Sequence, residues 1–132
     1  MIEKHIQAGG CLCGAIRYQI SGPMRDVIAC HCQQCQKSSG HHVAATRVAM
    51  TDFKLNQSTR LKWFHSSRSA KRGFCENCGS NLFWTKEDGS ISIFAGTLDQ
   101  PCGLRLSKHI FVEDKADYYD LTDNLPKFQK NG

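Results

Sequence analysis

The chain has 132 residues, 40% hydrophobic and 22% charged, the size and balance of one globular domain with its own core. Its formal charge is +5, but the basic residues are scattered. Arg68, Lys71 and Arg72 come nearest to a cluster and read as a solvated face, so a nucleic-acid partner is not expected. No apolar run approaches the ~20 residues of a membrane helix, and Met1 to Gly10 lacks the apolar centre of a secretory signal, so a cytoplasmic protein with reduced thiols is expected.

In chain order, a polar start leads into Gly9-Gly10-Cys11-Leu12-Cys13-Gly14, where glycines on both sides let the backbone turn tightly around a thiol pair. Ala15 to Ile20 places Ile16, Tyr18 and Ile20 on one face of a predicted strand. Ser21-Gly22-Pro23 is a turn. Val27 to Cys32 reads as a second strand, and Gln33 to Ser39 as one short helical turn closed by Gly40. His42 to Val48, Phe53 to Leu55 and Leu61 to His65 read as strands, the last rich in aromatics. Lys71 to Phe74 runs into Cys75-Glu76-Asn77-Cys78-Gly79. Leu82 to Thr85 and Ile91 to Ala95 flank an Asp88-Gly89 hairpin turn. His109 to Val112 and Tyr118 to Leu121 read as the final strands. The stretch from Asn124 onward, with Pro126, reads as loosely held. One domain is expected over residues 7–122, with 123–132 as a tail. The class is mostly β, built from many short strands.

The eight cysteines fall into clusters of chelating spacing, which argues against a disulfide framework. Cys30-His31-Cys32-Gln33-Gln34-Cys35 holds three thiols in six residues, and Cys32 and Cys35 have the spacing of a metal-binding turn. Closing short loops costs little entropy, so these three are expected to share one ion. The pairs Cys11/Cys13 and Cys75/Cys78 then combine into a closed four-thiolate site. Two other arrangements fit the spacing. One puts Cys11, Cys13, Cys30 and Cys32 on one ion and Cys35, Cys75 and Cys78 on the other; the second is a bridged two-metal cluster. Cys102 stands alone and reads as a turn or core residue. Seven thiolates holding two divalent ions would lower the formal charge to about +2.

With these motifs assembled, the chain resembles the glutathione-dependent formaldehyde-activating family, which shares its domain with centromere protein V. The resemblance rests on Gly9 to Gly14, on Cys30 through Gly40, and on Arg72-Gly73-Phe74-Cys75-Glu76-Asn77-Cys78-Gly79. Gly96-Thr97-Leu98-Asp99 and His109-Ile110-Phe111 complete it. It implies an Mss4-like (β-tent) fold with two Zn²⁺ ions, a structural one on Cys11, Cys13, Cys75 and Cys78 and a catalytic one on Cys30, Cys32 and Cys35. It also implies a carbon–sulfur lyase-type activity joining formaldehyde to glutathione as S-hydroxymethylglutathione, with a small thiol as partner. Two positions depart from the family pattern: Asp117-Tyr118-Tyr119 stands where a Trp is usual, and Leu106 where a Pro is common.

Among the remaining residues, His31 is expected to be a hydrogen-bonded core histidine. His109 is expected to make a structural hydrogen bond, and His41 and His42 to lie in a loop near the site. Trp63, Phe64, Phe83 and Trp84 are expected in the core. Lys37, Arg47, Arg68 or Arg72 would be available for glutathione's carboxylates, although each reads first as a surface charge. The alternatives to an enzyme are a non-catalytic zinc-structured binding module and a thiol carrier. What completes the Cys30/Cys32/Cys35 shell separates them.

Overall fold

A computed structural model describes residues 6–132. The described residues form ten strands in two sheets and a single α-helix, the mostly β architecture that the short alternating segments predict. The strands are β1 (Gln7–Gly10), β2 (Arg17–Ile20), β3 (Val27–Cys30), β4 (Val43–Ala49), β5 (Phe53–Gln57), β6 (Leu61–His65), β7 (Lys71–Cys75), β8 (Asn81–Thr85), β9 (Ser90–Phe94) and β10 (Leu106–Ile110). The helix α1 spans Gln33–Ser39 and ends on Gly40, whose φ of 85° is the left-handed cap that a side chain resists.

The smaller sheet has the order β1-β2-β5, and the larger β10-β3-β4-β9-β8-β7-β6. Neighbours are antiparallel except β10 and β3, which run parallel with His109 opposite Ala29 and Ile110 opposite Cys30. That pairing carries Leu106–Ile110 alongside β3, and His31 N–H extends it by donating to Ile110 C=O (3.0 Å).

Successive strand residues point to opposite faces, and β8 uses both. Phe83 belongs to a core with Ile16, Tyr18, Ile20, Val48, Leu82, Ile91, Ile93 and Leu98. Its ring meets Tyr18 edge-on at 5.4 Å and Phe53 at 5.3 Å, which joins the two sheets. Trp84 instead packs on Val43, Ala45 and Phe94. The larger sheet is thus covered on both faces here. Each core carries one group of thiols: Cys11, Cys75 and Cys78 belong with the first, Cys30, Cys32 and Cys35 with the second.

Several expectations change. Gln7–Gly10 is a strand rather than a plain lead-in. Its glycine is required by proximity: a Cβ on Gly9 would lie 2.3 Å from the Tyr18 hydroxyl and 2.5 Å from the Thr97 carbonyl oxygen. The strand expected at His109 to Val112 lies earlier, at Leu106–Ile110, because Phe111 takes a left-handed φ of 56° and Val112–Asp114 is a 3-10 turn. Tyr118 to Leu121 is not a strand; the tyrosines pack on histidine rings instead. The chain beyond Asn124 is not loose. It lies along the edge of β10 through Phe128 N–H to His109 C=O (3.0 Å), Phe111 N–H to Lys130 C=O (3.0 Å) and Val112 N–H to Phe128 C=O (3.1 Å). A parallel edge strand offers unpaired backbone groups, and the tail satisfies them. Phe64 lies outside the core, 62% exposed.

Candidate functional site

Cys11 follows β1, Cys13 closes the turn after it, and Cys75 and Cys78 bracket the turn between β7 and β8. Their four sulfurs lie within 4.8 Å of one another. Cys11 Sγ is 3.6 Å from Cys13 Sγ, and Cys13 Sγ is 3.8 Å from Cys75 Sγ. A tetrahedron of sulfurs about 2.3 Å from a central ion has edges of about 3.8 Å, close to these two separations, so this donor set suits zinc. Amide donors face two of these sulfurs. Ile16 N–H points at Cys11 Sγ (3.2 Å) and Asn77 Nδ2 at Cys13 Sγ (3.2 Å). The Asn77 contact lowers the Cys13 pKa, and a hydrogen bond from Ser80 brings Cys78 down to about 5. Burial pushes Cys75 up to about 11.

The second group closes on itself at the end of β3. Cys30 is the last strand residue, Cys32 caps α1 with its sulfur accepting from Cys35 N–H at 3.4 Å, and Cys35 sits in the first turn, buried. These three sulfurs also lie within 4.8 Å of one another. Hydrogen bonds from Cys30 and Cys35 bring Cys32 down to about 2, while the same contact with Cys32 raises Cys30. Thiolates gathered this closely repel one another, so holding three together needs cationic charge beside them. Three clustered sulfurs are a soft donor set that suits zinc. Among the described residues, no fourth Cys, His, Asp or Glu donor joins them. The structure gathers the cysteines by the shorter loops; neither alternative arrangement is brought together. Cys102 joins neither group and packs at the edge of the first core.

A polar chain runs behind the second group. His31, 1% exposed, has its Nε2 2.9 Å from His109 Nδ1, and its Nδ1 2.9 Å from the Tyr119 hydroxyl. His109 Nε2 lies 2.8 Å from Asp123 Oδ2. With both rings neutral, every contact is satisfied in one sense only: His109 donates to Asp123, His31 donates to His109, and Tyr119 donates to His31. His31 and His109 are the hydrogen-bonded core histidines that the sequence suggests. The hydrogen bonds of Asp123 and Tyr119 are not legible in sequence, because His109 on β10 and His31 just after β3 lie 14 and 88 residues away from them. His41 is exposed and bonded to the Tyr118 hydroxyl, while His42 is half-buried against the His31 and His41 rings.

Of the four cations considered, Lys37 and Arg68 are exposed. Arg47 lies over the Trp84 ring at 5.8 Å. Arg72 is not a surface charge: it is 9% exposed and its Nη2 donates toward Cys35 Sγ at 3.8 Å. A shallow recess lined by Ser21, Gly22, Pro23, Met24 and Leu104 includes none of the cysteines.

The fold and its two thiol clusters define a β-rich protein whose strand-end loops gather cysteines in groups that could hold metal ions. Residues 6–114 match the family described as glutathione-dependent formaldehyde-activating enzyme, and the chain belongs to that family. It is similar to a Schizosaccharomyces pombe protein named as an uncharacterized lyase, 25% identical over 122 residues, covering 91% of this chain and 88% of that one. The fold is shared with a Rhodobacter sphaeroides protein of known crystal structure, with a TM-score of 0.62 at 19% identity, covering 91% of this chain and 98% of that one.

Proposed function

We propose that the protein is a zinc-dependent lyase-type enzyme acting on the adduct of a small thiol and an aldehyde, with glutathione and formaldehyde as the leading pair. The observation that carries this reading is the difference between the two thiol groups: four sulfurs gather in one and three in the other, which would close the first shell and leave the second a position for substrate. Cys11, Cys13, Cys75 and Cys78 would hold the structural ion. They tie β1 and its following turn to the β7–β8 turn, so metal binding there adds directly to folding stability. Cys30, Cys32 and Cys35 would hold the catalytic ion. Zinc bound there would supply a sulfur-seeking fourth position that keeps a thiol ionised near neutral pH.

This chain's own residues set the rest of the site. The polar chain from Asp123 to Tyr119 fixes the His31 ring and with it the backbone between Cys30 and Cys32. Gln36 Nε2 donates to the His31 carbonyl oxygen (2.8 Å) and pins the same loop from the helix side. The family membership and the lyase name of the Schizosaccharomyces pombe relative favour turnover over a purely structural zinc module.

Titration calorimetry with glutathione and S-methylglutathione tests the reading. Glutathione is expected to bind and the thioether to bind at least about tenfold more weakly, since it cannot supply a thiolate. Binding is expected to survive Cys102→Ser and to fail in Cys35→Ser. Equal affinity for the two compounds would reject a thiol at this site. If glutathione binds yet formaldehyde is consumed no faster than in buffer, the protein is a thiol carrier.

A further inference from the structure

Arg72 is a buried cation, 9% exposed, with no carboxylate beside it among the described residues. Its polar contacts are Nη1 to Ser38 Oγ (3.4 Å) and Nη2 to Cys35 Sγ (3.8 Å), and its Nε is buried with no partner. A guanidinium removed from water is strongly unfavourable unless an anion sits beside it. The β7–β8 register explains why it is there. Arg72 stands opposite Trp84 and shares its face, the face that carries the second thiol group, while Gly73 turns to the Phe83 face. Asn81 Nδ2 donates to the Ser38 carbonyl oxygen (2.6 Å) and holds α1 down over the guanidinium.

The charges around this site make the arrangement intelligible. Three thiolates and one divalent ion sum to −1, and the guanidinium cancels it. An anionic fourth donor then brings the half-buried site to −1; without Arg72 it would reach −2 in surroundings of low dielectric. A neutral fourth donor gains nothing from the same charge.

We propose that Arg72 is the counter-cation of the Cys30/Cys32/Cys35 site and that it selects an anionic fourth donor, a thiolate or comparable monoanion, over a neutral one. The proposal rests on the reading above that this group holds a metal with an open position. It makes Arg72 a specificity-determining residue that acts through its fixed charge.

The test uses the full chain loaded with cobalt(II), whose visible spectrum reports the donors of each ion. Thiocyanate, imidazole and glutathione are titrated into wild type, Arg72→Met and Arg72→Lys. In Arg72→Met, thiocyanate is expected to bind at least about tenfold more weakly while imidazole changes by less than about threefold. Arg72→Lys is expected to return thiocyanate to within about threefold of wild type. Thiocyanate binding equally well to wild type and Arg72→Met would overturn the proposal. So would a parallel loss of both ligands in the Met and Lys variants, which would mark a packing role. Should Arg72→Met not fold, Arg72→Gln takes its place, and the ratio of the two affinities remains the quantity read. A wild-type spectrum that neither thiocyanate nor imidazole alters contradicts an open position and takes the proposal with it. A spectrum that answers to thiocyanate and not to glutathione rejects the thiol reading alone, and the thiocyanate-to-imidazole ratio still decides the role of Arg72.

Discussion

His31 stands between two thiols in the chain, yet its ring turns away from them and is held by His109 and Tyr119. Burial, then the charges of His42, His109, Lys115 and His41, bring its pKa down to about 4. The groups facing it are those residues and the Tyr119 hydroxyl, with Asp123 reaching it through His109. Between pH about 4 and about 6.5 the unfolded chain therefore binds a proton that the folded chain refuses. The contribution of neutral His31 to stability is full above pH about 6.5 and is lost as the pH falls toward 4. Its ring protons, followed by NMR, are expected to titrate with a midpoint near 4, and a midpoint near 6.5 would contradict the buried neutral assignment. Asp123 titrates lower: the His109 hydrogen bond brings it down to about 2. A glycine tests packing at the same scale. Gly9→Ala forces a carbon into the Tyr18 hydroxyl and the Thr97 carbonyl, and is expected to destabilise the fold by about 1–3 kcal/mol. Gly96→Ala, where a Cβ meets nothing within 4 Å, is expected to stay within about 0.5 kcal/mol. Urea midpoints of the two variants that coincide would reject the close approach.

Elements differ in how far the sequence reveals them. The helix is legible because its stop is local: Gly40 supplies the left-handed residue that ends Gln33–Ser39. The β8–β9 hairpin is legible because Asp88-Gly89 lies between two apolar runs. The strand expected at His109 to Val112 falls too late, ending at Val112 where β10 ends at Ile110, because its partner is β3, in parallel, and no short-range pattern encodes that pairing. The docked C-terminal segment escapes for the same reason: Pro126, Asn124 and the lysines look like a free end until an unpaired strand edge is placed beside them. The thiol-bearing elements give a prediction of their own. Cys78→Ser is expected to impair folding, because it opens the cluster that ties the turn after β1 to the β7–β8 turn. Cys35→Ser is expected to leave the fold largely intact while weakening metal and ligand binding, since Cys30, Cys32 and Cys35 all lie within one β3–α1 segment. Circular dichroism and thermal melting compare them; unfolding in Cys35→Ser with a native Cys78→Ser would reverse the assignment of structural and open sites.

At the scale of the whole molecule, one sheet separates two cores, and each core carries its own thiol group. The grouping of the seven cysteines was legible from loop lengths, because closing a short loop is cheap whatever the fold. The tie between Cys11/Cys13 and Cys75/Cys78 then followed by completing a shell. Arg72 was not legible as part of the site. In sequence it is one of three nearby basic residues, and only the β7–β8 register turns it inward while Arg68 stays exposed. Phe64 misled in the opposite sense: it sits in an aromatic run on β6, an edge strand with one face to solvent. On the function proposed above, the molecule would hold two ions, one in a complete shell of sulfurs and the other in a shell that receives a thiol. Cadmium NMR of the cadmium-substituted chain measures this directly. Two resonances are expected, of which one stays fixed when glutathione is added and the other moves; the moving resonance is absent in Cys35→Ser. Two resonances that both ignore glutathione, or a moving resonance that persists in Cys35→Ser, would contradict it.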